Sequence, residues 1–427
     1  MTISSDLKNN VLQEITAQIP FLVDLYRHLH AHPELSGQEV QTARRVAEEL
    51  SSAGFQVTTG VGGHGVVGVL ANGPGPVLML RADMDALPLQ EETGLPYASR
   101  KMAIGLQGQP VPVMHACGHD MHTTILVGAA RVLAAFRQNW KGSLLLVAQP
   151  AEEAIGGARL MLQDGLFTRF PRPNWALALH VDPGLPVGSI AIGPGYVTSA
   201  CQSIDVVIKG RPGHGAAPHL GTDSIVLAAQ FILALQTIVS RRTDPRETAV
   251  VHVGRIEGGS SRNTIAEKIV LELSLRAQGQ ESLERLVDEV AETATGLALA
   301  AGVGPDLKPE LQRAAALTPS VVNDPGLCGR LTNVFEDWLG MDRVQQCRPL
   351  LGSEDFSRFG EVDPPLPLTL FFLGVTEPDL FATLQADPAR LPRLHTPTFA
   401  PAVEPALAVG LRCFTAAALE LLDGSDR

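Results

Sequence analysis

A dense group of metal-binding side chains lies at residues 114–122, where the sequence reads Met-His-Ala-Cys-Gly-His-Asp-Met-His. One thiol and three imidazoles fall within these nine positions. A single glycine separates Cys117 from His119, so a thiolate and an imidazole can converge on one ion before the helix that we expect from Met121 onwards. The stretch predicts a metal centre.

Two adjacent carboxylates, Glu152 and Glu153, follow the apolar run at residues 144–148. Two such groups at the mouth of a buried strand are costly unless a cation compensates their charge. They could instead cap a helix that begins near Gly156, where the helix dipole favours negative charge. The Cys/His group upstream favours the metal site over the cap.

The elements that must position these residues alternate between strands and helices. Helical spacing of apolar residues marks residues 15–29 and 40–53. Short, nearly continuous apolar runs at residues 77–80, 144–148 and 176–179 are typical of strands buried on both faces. This alternation predicts an α/β fold.

Polar side chains follow each of the three predicted strands. Asp83 and Asp85 come after the first strand, Glu152 and Glu153 after the second, and His180 after the third. Because ligands of open α/β sheets bind beyond the carboxyl ends of the strands, we expect these groups to meet at one edge of the sheet.

A smaller domain interrupts this pattern at residues 199–312. Its predicted elements are a strand at 204–209, a helix at 223–241, strands at 248–253 and 269–276, and a helix at 283–301. Their β-α-β-β-α order suits a ferredoxin-like α+β domain. The proline-containing stretch 316–325 is predicted to be the return linker, so residues 1–198 and 313–427 form one larger domain.

The composition limits the possible partners. A chain of 427 residues with 45% hydrophobic content can build more than one core. Its net charge of -12 argues against nucleic acid and anionic membranes, so we expect a small-molecule ligand. Five scattered cysteines do not resemble a disulfide framework, and the polar first ten residues lack a signal pattern, so we expect a cytoplasmic protein.

A binuclear hydrolytic site needs several N, O or S ligands and a nearby carboxylate that moves protons. The candidate ligands are Cys117, His119, Glu153, His180 and His395. Glu152 then remains as the general base. Thiolate and imidazole donors favour two Zn²⁺ ions, although mixed sites of this kind also bind Mn²⁺, Co²⁺ or Ni²⁺.

Several motifs, in order along nearly the whole chain, resemble the M20 metallopeptidase family. They lie at residues 30–35, 81–88, 114–122, 149–153, 213–219, 353–356 and 395–397. The sequence is most similar to the amidohydrolase branch, which contains aminoacylase-like, hippurate-hydrolase-like and auxin-conjugate-hydrolase-like proteins.

The resemblance implies a di-metal catalytic domain with a mixed sheet flanked by helices, interrupted by a lid and dimerisation domain, and therefore a homodimer or larger assembly. It implies zinc or manganese, the same five ligands, and Glu152 as the base. The wider family generally has His where Asp83 stands and Asp where Cys117 stands. Cys117 could thus replace a bridging carboxylate, and the bridging ligand stays open.

Other polar residues receive roles by the same resemblance or by their position. His214, Asn263 and Arg276 match lid positions that contact substrate in relatives. Asp85 is expected to orient a ligand imidazole, and Asp83 fits either that role or a ligand. Among the remaining histidines, His28, His30 and His32 are expected to serve packing and capping, and His122 to hold Asp120 or a backbone carbonyl.

The predicted activity is metal-dependent hydrolysis of the amide bond in an N-acyl amino acid. A dipeptidase or aminopeptidase of the same family is the alternative within hydrolysis. A non-catalytic metal-binding or ligand-binding relative is the alternative from another class, and the intact Glu152 argues against it because a binding protein needs no base.

Overall fold

The computed structural model describes residues 3–384 and 393–422. The helices are α1 Ser5–Ala31, α2 Val40–Ser52, α3 His119–Ala135, α4 Gly157–Gln163, α5 Leu166–Arg169, α6 Ser224–Thr237, α7 Gln280–Ala300, α8 Pro325–Leu339, α9 Pro378–Leu384 and α10 Val403–Leu421. The strands are β1 Gln56–Val61, β2 Gly65–Asn72, β3 Val77–Asp83, β4 Met102–Ile104, β5 Pro110–Pro112, β6 Gly142–Gln149, β7 Trp175–Pro186, β8 Ile190–Ile192, β9 Gly195–Tyr196, β10 Ala200–Lys209, β11 Gly213–His214, β12 Ala249–Gly258, β13 Thr264–Ile265, β14 Lys268–Ala277, β15 Glu310–Thr318, β16 Val322–Asn323, β17 Val344–Gln346 and β18 Leu368–Thr376.

The first of two compact units contains the described residues up to Val197, Val322–Arg348 and those from Asp355 onwards. Its eight-stranded sheet has the order β1-β2-β6-β3-β7-β18-β8-β17. Each strand is parallel to the next within the central series β6-β3-β7-β18. The pairs β1–β2 and β2–β6 are antiparallel. The mixed sheet confirms the predicted α/β class, and the three predicted strands are β3, β6 and β7 at its centre.

Apolar sequence explains why the central strands are internal. Every residue of β18 is buried, and β6 is buried from Leu145 to its end. Helices α1, α3 and α10 pack against one another, and α3 contacts β3. One continuous apolar core runs from these helices to the sheet and includes Leu80, Leu146 and Phe371.

The parallel arrangement brings the polar strand ends to one edge. Asp83, at the end of β3, is opposite Gln149, at the end of β6. β3 is also parallel to β7, which carries His180 further along the same direction. The carboxyl ends of the central strands are therefore where the candidate ligands enter the fold.

The second unit contains residues 198–321 and 349–354. Its four-stranded antiparallel sheet has the order β12-β14-β10-β15, with α6 and α7 packed against it. The predicted strands and helices of the α+β domain are present. β15 is an additional strand: it pairs with β10 and extends to Thr318, inside the predicted linker, because backbone pairing can recruit an alanine-rich segment without strand-like sequence.

One described helical stretch, Ser224–Arg242, is long and apolar enough to cross a membrane when only length and composition are considered. Leu227, Phe231 and Leu235 of this stretch belong to the apolar core of the second unit. Other apolar side chains on it, including Leu233, are exposed.

A buried ion pair joins the end of α1 to the beginning of α3. His30 Nδ1 lies 2.7 Å from Asp120 Oδ2, and His30 Nε2 lies 3.0 Å from Glu91 Oε1. Burial alone would lower the pKa of His30, but the bonds to Asp120 and Glu91 raise it to about 10. His30 is buried, in agreement with the expected packing role, but its ion pair was not predicted because the two carboxylate partners lie far away in the sequence.

We expect His30→Gln to lower the free energy of unfolding by about 3–5 kcal/mol, because it leaves two buried carboxylates without a cation. Chemical denaturation of the metal-free protein measures this change. His32→Gln is the matched control at the exposed end of the same helix and should change stability by less than about 0.5 kcal/mol. Equal effects of the two substitutions would contradict the role of the ion pair.

The same pair should make the contribution of His30 depend on pH. The folded-state pKa is raised from 6.5 to about 10, so this contribution is fully present below about pH 6.5 and declines as the pH rises towards 10. The stability difference between the wild-type protein and His30→Gln should therefore narrow over that range. A constant difference from pH 6.5 to 10 would contradict this assignment.

Candidate metal centre

The five candidate ligands all come from the first unit, on loops and ends of its central elements. Cys117 precedes α3, His119 is its first residue, Glu153 follows β6, His180 lies in β7, and His395 lies in the loop before α10.

The glycine between the first two ligands is required by its surroundings. Gly118 has φ 79°, and a Cβ there would lie 2.5 Å from Val181 Cγ2. A side chain at this position would therefore push Cys117 and His119 away from β7.

The ligand atoms form two groups that share one sulfur. The atoms of Cys117, His119 and His180 lie within 4.8 Å of one another, and so do those of Cys117, Glu153 and His395. Cys117 Sγ is 3.5 Å from His180 Nε2 and 3.2 Å from His395 Nε2. The structure thus brings all five predicted ligands together, with Cys117 common to both groups.

Two of the ligand imidazoles use Nδ1 for a supporting contact, which leaves Nε2 for the metal. His180 Nδ1 donates to the Val181 carbonyl at 2.8 Å, and His119 Nδ1 is 3.2 Å from Asp85 Oδ1. A nitrogen that donates to an oxygen leaves the lone pair on Nε2. Asp85 therefore lies where a carboxylate orients a ligand imidazole.

The donor set fits divalent cations. His119 Nε2 and Glu153 Oε1 are buried, and neither has a hydrogen-bond partner among the described residues. Burial, followed by the charges of Glu153 and Glu152, raises the pKa of the Cys117 thiol well above its ordinary value. Two acceptors without donors and a thiol surrounded by carboxylates are accommodated together when a cation binds between them.

Asp83 differs from these ligands because both of its carboxylate oxygens contact other side chains. Its Oδ2 accepts from Arg81 Nη1 at 2.7 Å, and its Oδ1 is 2.6 Å from His122 Nδ1. His122 Nε2 in turn accepts from the Val181 N–H, so both of its nitrogens are used. The sequence left two roles open for Asp83, a metal ligand or a residue that supports a ligand. The geometry favours the supporting role. His122 holds Asp83, rather than Asp120 or a carbonyl.

The two glutamates turn towards the ligands and not towards α4. Glu152 Oε2 and Glu153 Oε1 each lie 3.9 Å from His119 Nε2. The N-cap of α4, Gly156, has no side-chain cap, and the Ala158 N–H donates to Asp355 Oδ2 at 3.0 Å. Asp355 therefore has the capping role that the sequence offered as the alternative for the glutamates.

A buried arginine links three segments behind the site, and its role was not predicted. Arg81 donates to Gln149 Oε1 at 2.9 Å and to Asp355 Oδ1 at 3.3 Å, in addition to Asp83. It is 1% exposed. The available signal was the position of Arg81 and Asp355 in two of the motifs, but spacing alone does not reveal that they pair.

The predicted substrate residues lie in the second unit. β11 and β13 pair so that His214 is opposite Thr264, and the Gly215 N–H donates to the Asn263 carbonyl. His214 and Asn263 are therefore neighbours. Arg276, near the far end of β14, donates to the Leu351 carbonyl at 2.7 Å and to Ser353 Oγ at 3.1 Å.

The family model described as "Peptidase family M20/M25/M40" matches residues 79–388. The chain belongs to this family. Hippurate hydrolase of Campylobacter jejuni is 37% identical over 356 residues, covering 81% of this chain and 88% of that protein. IAA-amino acid hydrolase ILR1-like 2 of Arabidopsis thaliana is 34% identical over 345 residues, covering 81% and 75%. These relatives place the chain in the amidohydrolase branch, as predicted.

A solved structure agrees with this assignment. A dinuclear metal-binding peptidase of the M20 family from Bacillus subtilis superposes with a TM-score of 0.77 at 29% identity, covering 95% of this chain and 99% of that one. The fold and the enzyme class predicted from the sequence, a metal-dependent hydrolase, are confirmed.

We expect Cys117→Ala to weaken both ion sites, because its sulfur belongs to both ligand groups, whereas His180→Ala should weaken one. The loss should exceed the roughly 10–100-fold decrease in affinity that follows loss of a residue supporting a ligand. Equilibrium dialysis with Zn²⁺ measures stoichiometry and affinity. Cys413→Ala, a buried cysteine of α10, is the control. Two tightly bound ions in Cys117→Ala would contradict the shared role.

Proposed function

We propose that this M20 amidohydrolase cleaves the amide bond of N-acyl amino acids, with Glu152 as general base. The observation that carries the proposal is the position of Glu152: it is buried, its Oε2 lies 3.9 Å from His119 Nε2, and it belongs to neither of the two ligand groups that contain Cys117. The names of the relatives support the substrate class, since hippurate and IAA-amino acid conjugates both join an acyl group to an amino acid.

In this proposal, Cys117, His119 and His180 would hold one ion, and Cys117, Glu153 and His395 would hold the other. Zn²⁺ is the favoured metal because of the thiolate and imidazole donors, with Mn²⁺, Co²⁺ and Ni²⁺ as alternatives. When bound, the ions would acidify the attacking water and polarise the amide carbonyl.

The residues of the chain then move the proton. Glu152, whose Oε2 lies 3.9 Å from His119 Nε2, accepts it from the attacking water and returns it to the leaving amine. Asp85 keeps the His119 ring oriented through Nδ1. Glu152 itself is 6% exposed, so its carboxylate lies in a mostly buried place.

Substrate recognition is assigned to the smaller domain. We propose that the lid and dimerisation domain, predicted at residues 199–312, is the smaller unit of residues 198–321 and 349–354, and that the first unit, predicted at 1–198 and 313–427, is the catalytic domain. His214, Asn263 and Arg276 are the proposed substrate contacts. The adjacency of His214 and Asn263 supports a common role. The contacts of Arg276 with Leu351 and Ser353 make it the least supported of the three.

We expect Glu152→Gln to retain its metal ions and lose activity by about 10²–10⁴-fold, the usual contribution of general acid–base catalysis. The measurements are kcat and the metal content of the same sample. Glu404→Gln, on the exposed side of α10, is the control and should leave both unchanged. Substantial turnover by Glu152→Gln would overturn the assignment of the base.

The substrate class is tested with a panel of N-acetyl, N-benzoyl and N-fatty-acyl amino acids and unblocked dipeptides. Preferential cleavage of one or more N-acyl amino acids is expected. Cleavage of dipeptides alone would replace the proposal with a dipeptidase. Failure to hydrolyse any amide with metal present would favour a binding role.

A homodimer is also proposed, with the second copy covering an apolar face of the smaller domain. On α6, Ile225, Val226 and Leu233 are 49%, 52% and 72% exposed. β12 is an edge strand of the sheet in this unit, and Ile256 on it is 53% exposed. Exposed apolar side chains next to an unpaired strand edge favour association with another protein surface.

We expect the wild-type protein to be a dimer in light scattering and Leu233→Glu to shift it towards monomer, because a charge would be buried in the interface. Leu299→Glu, on α7 and 75% exposed, is the matched control and should remain dimeric. A fully active wild-type monomer would contradict this proposal.

A cytoplasmic location is proposed from the cysteines. All five are free, and a thiolate ligand at Cys117 requires a reduced side chain. The net charge of -12 favours a small-molecule substrate rather than an anionic membrane or nucleic acid.

A further inference from the structure

A sharp turn brings two consecutive carboxylates to the same place. Side chains of adjacent residues in an extended strand point to opposite faces, yet Glu152 Oε2 and Glu153 Oε1 are both 3.9 Å from His119 Nε2. The backbone after β6 must therefore change direction immediately before Glu152.

Ala151 makes that change in an unusual conformation. Its φ is 51°, in the left-handed region that residues with a Cβ avoid. Its carbonyl accepts from the N–H groups of Gly156 at 3.3 Å and Gly157 at 3.1 Å, which closes the turn. A Cβ on Gly157 would lie 1.6 Å from the Pro150 carbonyl oxygen, so the turn is tightly closed. Such a conformation persists only where its surroundings enforce it.

The surroundings include a carboxyl with no role in the mechanism so far. Glu39, immediately before α2, is 0% exposed. Its Oε1 accepts from the Ala151 N–H and from the Gly37 N–H, both at 2.8 Å. Its Oε2 is buried and has no hydrogen-bond partner among the described residues. Burial of a carboxyl with one unpartnered oxygen is costly, and the hydrogen bonds of the other oxygen offset part of that cost.

The same segment restrains the turn a second time. Ser36 Oγ donates to Asp85 Oδ2 at 2.6 Å, and the Glu153 N–H donates to the same oxygen at 3.0 Å. Residues 36–39 thus hold the backbone on both sides of Glu152, directly at Ala151 and through Asp85 at Glu153.

We propose that Glu39 is a positioning residue for the reaction: by accepting the Ala151 N–H, it holds the turn that directs Glu152 to the proton-transfer position and Glu153 to the metal. The inference rests on the proposed function for the role of Glu152. The part that concerns Glu153 can be measured by metal binding alone. Burial raises the pKa of Glu39, which agrees with a group that works as a hydrogen-bond acceptor rather than as a buried charge.

The test compares Glu39→Ala with Glu39→Gln. Glu39→Ala removes the acceptor and is expected to lower kcat by about 10–100-fold with little change in KM, and to weaken Co²⁺ binding over a similar range. Glu39→Gln keeps an oxygen at Oε1 and should retain both properties within about 3-fold, because Oε2 bonds to nothing that its amide nitrogen would displace. If Glu39→Ala does not fold, Glu39→Asp takes its place in the test. The aspartate side chain is one methylene shorter, so its carboxylate lies further from the Ala151 N–H.

A second substitution separates positioning from general stability. Glycine adopts positive φ without steric cost, so Ala151→Gly in the Glu39→Ala background should recover part of the lost kcat and Co²⁺ affinity. Asp324→Ala is the matched control: it removes the side-chain acceptor of another helix N-terminus in the same unit and should lower the melting temperature without changing kcat.

Three outcomes would overturn the inference. They are wild-type kcat and Co²⁺ affinity in folded Glu39→Ala, equal impairment of Glu39→Gln and Glu39→Ala, and no recovery by Ala151→Gly. If the wild-type protein hydrolysed no amide, the proposed function would fail, while the Co²⁺ affinities of the same variants would still decide the position of Glu153.

Discussion

Uncompensated negative charge in a buried place is the constraint on which the site depends. Carboxylates and a thiol converge at the carboxyl ends of β3, β6 and β7, where Asp83, Cys117 and Glu152 are buried. Asp83 is compensated by Arg81 at 2.7 Å. For Cys117 and Glu153, the nearby groups of opposite character are imidazoles, including His395, which is 3.3 Å from Glu153 Oε1. We infer that divalent cations supply the remaining positive charge.

Hydrogen bonds from supporting residues fix the positions of the carboxylates around the site. His122 and Arg81 occupy both oxygens of Asp83, which keeps that carboxylate away from the ions. Asp85 Oδ1 contacts His119 Nδ1, and Asp85 Oδ2 accepts a hydrogen bond from the Glu153 N–H. Asp83 and Asp85 are thus engaged by supporting contacts, while Cys117 is common to the two candidate ligand groups.

Much of this arrangement could be predicted from the sequence because it depends on local pattern. The apolar runs identified β3, β6 and β7, and the rule for strand ends placed Glu153 and His180 near Cys117. The supporting contacts could not be predicted in this way. The partners in Glu39–Ala151 are 112 residues apart and those in Arg81–Asp355 are 274 apart, so no spacing signal connects them. β15 was missed because its sequence contains three consecutive alanines and only one β-branched residue, Thr318, at its end.

The most direct test of the central claim is a crystal structure of the zinc-loaded protein with anomalous scattering measured at the zinc edge. We expect two peaks about 3.5–4 Å apart, with Cys117 Sγ between them, His119 and His180 at one and Glu153 and His395 at the other. A single peak, or two peaks that do not share the Cys117 sulfur, would contradict it.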